Sequence, residues 1–371
     1  MKQKIFKEIK VPKNTKSMLG EKRLMPEDDP KEFDPNPEKK NQIPIPEKNK
    51  EKKDYYFNSY SSYNIHEEML SDKVRTGTYQ KAILENSELF KDKIVLDIGS
   101  GTGILSFFAA QAGAKHVYGI EYADIADYSL EIIKKNNMED KITIIKSKVE
   151  KAELPVDKVD IILSEWMGYF LLYESMLDTV LFARDKWLKE DGILFPDRAQ
   201  MFVAGLEDKR YKNRKINSWN NIYGFNMSCI KEVALAEPLI DSCTKEFVIS
   251  SICKIYDIDL YNIKKEELDF MSGYQIEFNK NDTFNGLVTW FNVSFNKVKN
   301  KVILSTGPFD NHTHWEQTIF YIEDDVKVKK GQKLYGNISV IKDKKNFRFI
   351  NIKISYHFPE NGKVKIMTKN L

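Results

Sequence analysis

The amino-acid sequence predicts a doubly wound α/β sheet followed by an antiparallel β-barrel or sandwich. Three observations carry this. Between Lys93 and about Pro196 short apolar runs alternate with amphipathic stretches. The first of those runs ends in a glycine-rich turn, Gly99-Ser-Gly101-Thr-Gly103, the junction of strand and helix. Beyond Pro196 the helical pattern largely stops and alternation at period two takes over.

Residues 1–52 are dominated by Lys, Glu, Asp, Asn and Pro, and cannot bury enough apolar surface to offset chain entropy, so they predict a disordered extension. Order is expected from the abrupt aromatic cluster Tyr55-Tyr56-Phe57. Ile65, Met69, Tyr79 and Ile83 follow at helical spacing, with Gly77 as the interruption. Strands are expected over 94–98, 116–120, 142–145, 159–163 and 192–195, and helices up to 112, over 124–136 and over 174–188. These elements and the preceding helices make a domain of 53–197; the remainder, 198–371, is the barrel. There Leu287, Thr289, Phe291, Val293 and Phe295 share one strand face, and strands continue at 321–322, 334–340 and 347–358. The polar stretch from Tyr211 to Met227, with Trp219, Tyr223 and Phe225 read as exposed, predicts an excursion from the barrel.

Composition narrows the partners. Fifty-eight basic residues against 55 acidic ones leave a net charge of +3, too weak a field to make nucleic acid or an anionic membrane the main partner. Cys229, Cys243 and Cys253 show no CxxC spacing, so they read as ordinary thiols of a reducing compartment, and no metal is expected. No signal-peptide-like or membrane-spanning apolar stretch is present, and the expected location is cytoplasmic and nuclear.

The chemistry concentrates in Ser164-Glu165-Trp-Met-Gly-Tyr169, with a second carboxylate at Glu174. The apolar run before it places Glu165 at the carboxyl end of a parallel strand, where open α/β sheets bind ligands. Two anions there call for a cation between them. The glycine turn departs from a dinucleotide fingerprint because its sixth position is Ile104, and Asp97 at the strand end would repel a pyrophosphate. An adenosyl ligand with an ammonium group suits it better. Glu121, 18 residues after Gly103 and ending the next strand, stands where a carboxylate grips ribose hydroxyls.

Val95 to Gly103 resembles motif I of S-adenosylmethionine-dependent methyltransferases, and Ser164 to Glu174 is similar to the double-glutamate loop of protein arginine methyltransferases. Tyr56-Phe-Asn-Ser-Tyr60 and Thr313-His314-Trp315 complete that family's motif set, and Phe195 to Ala199 and Tyr223 to Ile230 read like its type I branch. The resemblance covers roughly 54–371. It implies a seven-stranded-type Rossmann-like methyltransferase domain, then a β-barrel carrying a helical dimerisation arm at about 209–243, and so a homodimer. It implies S-adenosyl-L-methionine as cofactor, released as S-adenosyl-L-homocysteine. The implied substrates are proteins with arginine in flexible, glycine-rich segments, histone tails and RNA-binding-protein-like sequences among them, and the products are mono- and asymmetric dimethylarginine.

Carried over residue by residue, the resemblance places Arg75 at the cofactor carboxylate with His66 nearby, Asp97, Gly99 and Gly101 at its methionine end, Glu121 at the ribose, and Val149 with Glu150 at the adenine. Tyr56 and Tyr60 wall the target arginine, with Trp315 on the substrate side. Met69 and Met176 steer the second methyl by their bulk. Glu165 and Glu174 hold the guanidinium. His314, paired with Asp72, either takes part in proton removal or closes the groove as a structural hydrogen bonder. Gly77 and Gln80 stand where bulkier or basic residues are usual, which loosens the helix covering the cofactor.

The guanidinium explains the pair of glutamates chemically. It is delocalised and protonated near neutral pH, hence a poor nucleophile. Two carboxylates, each making charge-assisted hydrogen bonds of roughly 1.5–3 kcal/mol, orient one nitrogen and draw charge away from it. A methyltransferase for another substrate class is disfavoured because a neutral nucleophile has no use for two anions. A catalytically silent scaffold of the same fold is disfavoured by the intact motif residues.

Overall fold

The apolar runs at 94–98 and 159–163 become central parallel strands buried almost throughout, whereas 142–145, at the sheet edge, is only partly buried. The computed structural model describes residues 55–360 and 362–371, so the expected extension at 1–52 lies outside the described residues. Helices α1 (Tyr55–Ser59), α2 (Tyr63–Ser71), α3 (Lys73–Leu84) and α4 (Ser87–Phe90) lead into strand β1 (Ile94–Ile98). The chain continues through α5 (Ile104–Gln111), β2 (His116–Glu121), α6 (Ile125–Lys135), β3 (Ile142–Lys146), β4 (Val159–Ser164), α7 (Met176–Trp187) and β5 (Leu188–Phe195). The strands pair in the order β3-β2-β1-β4-β5, all parallel. The order reverses between β1 and β4, so a crevice opens beyond their carboxyl ends.

The parallel sheet has the five strands expected, among the described residues, and the chain leaves it after Phe195 for an antiparallel sheet. One expectation changes here. The break between the amino-terminal helices falls at Asp72 and not at Gly77. Asp72 adopts an extended conformation and its side chain accepts a hydrogen bond from the Arg75 backbone N–H, capping α3. Gly77 lies within α3, where an added Cβ would meet open space.

The second half comprises β6 (Arg198–Leu206), α8 (Lys209–Lys215), α9 (Lys231–Ala236), β7 (Leu239–Asp241), β8 (Cys253–Asp259), β9 (Phe270–Glu277), β10 (Asp282–Phe295), β11 (Val302–Ser305), β12 (Gln317–Val328), β13 (Lys333–Lys342), β14 (Ile350–His357) and β15 (Lys365–Asn370). One sheet runs β7-β12-β10-β6-β8 with β11 on β10, the other β15-β14-β13-β9, and together they make a barrel-like antiparallel assembly. The strand expected over 347–358 starts at Ile350, since residues 343–349 fold into a turn whose backbone N–H groups at Lys345 and Asn346 are accepted by Asp343.

Strand β10 was expected to bury one face; it buries both. Leu287, Phe291, Val293 and Phe295 join the main core, whereas Val288 and Trp290 enter a second cluster with Ile216, Ile319 and Tyr321. That second cluster exists because residues 209–241 lie over the outer face of the sheet. Lys212 anchors their first helix, its buried Nζ donating to the Glu323 carbonyl at 2.8 Å and to Asp325 at 2.9 Å. Of the three aromatics read as exposed, Tyr223 and Phe225 are, while Trp219 is half-buried. The expected boundary at 197/198 falls in the link between β5 and β6, yet a single core spans both halves. Phe195 joins them, its ring 5.1 Å from Phe90 and 5.5 Å from Phe295. Such aromatic pairs contribute about 0.5–1.5 kcal/mol beyond the area they bury.

Candidate active site

The crevice at the reversal of strand order holds most of the residues singled out by sequence. Tyr56, His66, Gly101, Glu121, Glu165 and Glu174 line one cavity, and so do Tyr60, Met69, Arg75, Gly99, Val149, Glu150, Met176, His314 and Trp315. Asp97 and Asp72 lie outside that lining.

The glycine turn after β1 is left-handed at Gly99 and Gly101, with φ of 69° and 54°. A Cβ on Gly99 would fall 2.4 Å from Met176 Cε, and one on Gly101 3.3 Å from the His66 ring. The turn therefore keeps open a cradle that any side chain would fill. Glu121 fixes its shape: one carboxylate oxygen accepts from the Gly101 N–H at 3.0 Å, the other from the Tyr122 and Ala123 N–H groups at 2.8 and 2.7 Å. Burial still raises the Glu121 pKa, although these three bonds oppose it. Ser100 also lines the cavity, and its Oγ is buried against Gly119 with no hydrogen-bond partner. Cradle and carboxylate fit an adenosyl cofactor.

Asp97 departs from its expected place at the cofactor's methionine end. It is fully buried behind the turn, where Oδ2 accepts from Ser106 Oγ at 2.7 Å, and burial pushes its pKa up to about 7. Being strand-internal, its side chain turns toward α5 and supports the turn from below. Glu150 lines the cavity and accepts from Thr179 Oγ1 at 2.9 Å; Val149 is buried beside it. His66 Nε2–H donates to the Tyr60 carbonyl at 2.8 Å, and burial lowers its pKa below the usual imidazole range.

Glu165 leaves the end of β4 and already holds a cation: Arg75 Nε and one terminal nitrogen both reach Glu165 Oε2 at 2.8 Å, each side chain only 8% exposed. Arg75, expected at the cofactor carboxylate, thus also bridges the cofactor side of the cavity to the double-glutamate loop. Its remaining terminal nitrogen donates to the Met69 carbonyl at 3.2 Å.

Glu174 is differently placed. It was expected to begin a helix, but it and Ser175 are left-handed, with φ of 74° and 57°, and α7 starts only at Met176. Such non-glycine conformations cost about 1–3 kcal/mol each and persist only where surroundings hold them. Here the holding group is the 343–349 turn: the Glu174 N–H donates to the Arg348 carbonyl at 2.8 Å, Arg348 donates back to the Glu174 carbonyl at 3.0 Å, and Ser175 Oγ donates to the Phe347 carbonyl at 2.6 Å. The Glu174 carboxylate accepts from the Tyr60 hydroxyl at 2.9 Å and has no ion pair among the described residues. Burial, reinforced by Glu165 and opposed by Tyr60 and Arg348, pushes its pKa up to about 7. A cation placed there would restore its charge.

Tyr56 and Tyr60 meet with ring centroids 4.9 Å apart and planes tilted by 57°, and burial raises both phenols far above their usual range, so both stay hydrogen-bond donors. The Tyr56 hydroxyl points at Met176 Sδ, 3.7 Å away. Trp315 is buried, and its Nε1–H donates to the Met167 carbonyl at 2.8 Å, so it braces the double-glutamate loop from the barrel side. His314 pairs with Asp72 as expected: both its backbone N–H and Nδ1 reach Asp72 Oδ2, at 2.9 and 2.8 Å. Burial works against the Asp72 carboxylate, but those bonds and the α3 cap hold its pKa below the usual range. Asp72 thereby orients the imidazole with Nε2 left to the cavity.

Arg348 is the residue that sequence reasoning missed. Its guanidinium lines the cavity with Cζ 3.6 Å from the centroid of the Tyr56 ring. The one local signal was an arginine set between Phe347 and Phe349 at the start of a supposed strand.

Known proteins are similar to this chain in sequence and fold. A family model described as the arginine methyltransferase oligomerization subdomain matches residues 197–361, and one described as ribosomal protein L11 methyltransferase matches 79–221, the stretch holding the parallel sheet. The chain is 52% identical over 306 residues to protein arginine N-methyltransferase 8-B of Danio rerio, covering 82% of this chain and 73% of that one. It is 51% identical over 322 residues to protein arginine N-methyltransferase 1 of Chlamydomonas reinhardtii, covering 86% and 93%. Among solved structures, the PRMT1 enzyme–prozyme heterotetrameric complex of Trypanosoma brucei with AdoHcy superposes with a TM-score of 0.81 at 39% identity, covering 84% of this chain and 99% of that one.

Proposed function

Since this chain belongs to the protein arginine N-methyltransferase family and takes S-adenosyl-L-methionine as its methyl donor, we propose that it is a type I enzyme giving mono- and asymmetric dimethylarginine. Its substrates on this reading are proteins with arginine in flexible, glycine-rich segments, histone tails among them. One observation carries the proposal: Glu174, half-buried and lacking an ion pair among the described residues, faces the same cavity as the Arg75-bound Glu165 and the glycine cradle. Its carboxylate suits a second guanidinium.

The cofactor, when bound, supplies a methyl group on a positively charged sulfur. Gly99, Gly101 and Ser100 would receive its methionine end, Glu121 its ribose, and Val149 with Glu150 its adenine. His66 closes the cradle over Gly101. Glu165 and Glu174 hold the substrate guanidinium, Tyr60 orients the Glu174 carboxylate, and Tyr56 walls the target nitrogen against Met176. Orientation is the larger contribution to rate, because well-placed reactants gain about 7–11 kcal/mol over free encounter. His314 Nε2 accepts the proton that the guanidinium sheds, with Asp72 stabilising the imidazolium.

The decisive experiment is the product on an Arg-Gly-rich peptide with S-adenosyl-L-methionine. Mass spectrometry should find monomethylarginine first and then fragments diagnostic of asymmetric dimethylarginine; the symmetric isomer would remove the type I assignment. Homodimerisation is proposed on a separate observation: Tyr223 and Phe225 are 98% and 68% exposed on the helical excursion. Sedimentation of a chain lacking about residues 209–243 should show a monomer, and a dimer would count against the arm.

A further inference from the structure

We propose that Arg348 is a positioning residue that ties helix α1 to Glu174, its guanidinium stacked on Tyr56 while its main chain and one terminal nitrogen clamp the Glu174 peptide unit. The proposal rests on Glu174 holding the substrate. It goes beyond that reading because Arg348 belongs to the barrel's β13–β14 turn, and none of the motif residues assigned above includes it.

The geometry makes a closed circuit. From Arg348 the contact passes to the Tyr56 ring at 3.6 Å, from Tyr56 to the Tyr60 ring at 4.9 Å, from the Tyr60 hydroxyl to Glu174 Oε2 at 2.9 Å, and from the Glu174 carbonyl back to Arg348 at 3.0 Å. Helix α1 is a single turn of five residues, too short to hold itself in place. Phe57 adds a further mooring, meeting the Tyr122 ring at 4.5 Å with Lys148 over both. A planar guanidinium can stack on a ring face and donate at its edge at once, which an ammonium cannot. One side chain thus couples two events: seating the helix that covers the cofactor cradle, and holding two consecutive left-handed residues so that the Glu174 carboxylate faces the substrate. Its positive charge also opposes the burial that favours protonated Glu174.

The test uses the full chain with Arg348→Ala, Arg348→Lys and, in parallel, Glu174→Gln. Arg348→Ala should lower kcat at least tenfold, weaken S-adenosyl-L-homocysteine binding several-fold, and move the acid limb of kcat/KM to higher pH. Arg348→Lys should return the limb toward its original pH, because charge is kept, while kcat stays depressed, because stacking and the edge-on bond are lost. A role confined to folding would leave the limb in place. Wild-type kcat and an unmoved limb in both arginine variants, with Glu174→Gln inactive, would overturn the proposal. An active Glu174→Gln would instead overturn the assignment of Glu174. Should Arg348→Ala fail to fold, the separation of limb and kcat in Arg348→Lys decides.

Discussion

Glu165→Gln is expected to reduce kcat/KM on an Arg-Gly-rich peptide by roughly 10²- to 10³-fold, the scale seen when one preorganised polar group is lost from an active site. The amide keeps the shape of the side chain and removes its charge, so the substrate guanidinium loses half of its clamp. A second consequence follows from Arg75. Its guanidinium is bound to Glu165 with both side chains 8% exposed, and removing one partner of a buried pair costs about 3–5 kcal/mol because the remaining charge is stranded. The variant should therefore also bind S-adenosyl-L-homocysteine more weakly and melt earlier. Radiolabelled methyl transfer, calorimetric cofactor binding and thermal melting measured together separate these effects. Undiminished transfer would remove Glu165 from the mechanism.

The pH dependence of kcat/KM should carry the signature of Glu174. With its pKa pushed up to about 7 by burial, the side chain is protonated and neutral on the acid side and cannot accept a charge-assisted bond from the guanidinium. Above that value it is an anion. Activity should thus rise with pH through about 7, in the profile that reports the free enzyme. Glu174→Gln should abolish this limb and lower the plateau by roughly 10²-fold. Asp97 is also held near 7, but it lies behind the glycine turn, outside the cavity lining. A limb that survives Glu174→Gln belongs to another group.

Much of the fold was legible because its causes are local. The apolar runs at β1 and β4 are buried almost throughout, which only a sheet covered on both faces permits. The left-handed glycines mark the cradle by composition alone. Other elements misled for equally physical reasons. Gly77 read as a helix break because glycine is a poor helix former, but the break belongs to Asp72, whose capping bond and pairing with His314 are worth more than a propensity. The helix expected from Glu174 begins two residues later because the 343–349 turn holds Glu174 and Ser175 in a conformation no local pattern would choose. Strand β10 looked half-exposed until the excursion after β6 covered its second face.

The sequence by itself determined which chemical groups this protein brings to bear: two glutamates after a buried strand, a glycine turn after another, a carboxylate at the end of a third. Only the tertiary structure decided what each is joined to. Arg75 meets Glu165 across 90 residues and Arg348 meets Glu174 across 174. Residue type and spacing record the backbone's local preferences, whereas a contact between distant segments is selected by the packing of the whole core, and no window of sequence contains both of its ends.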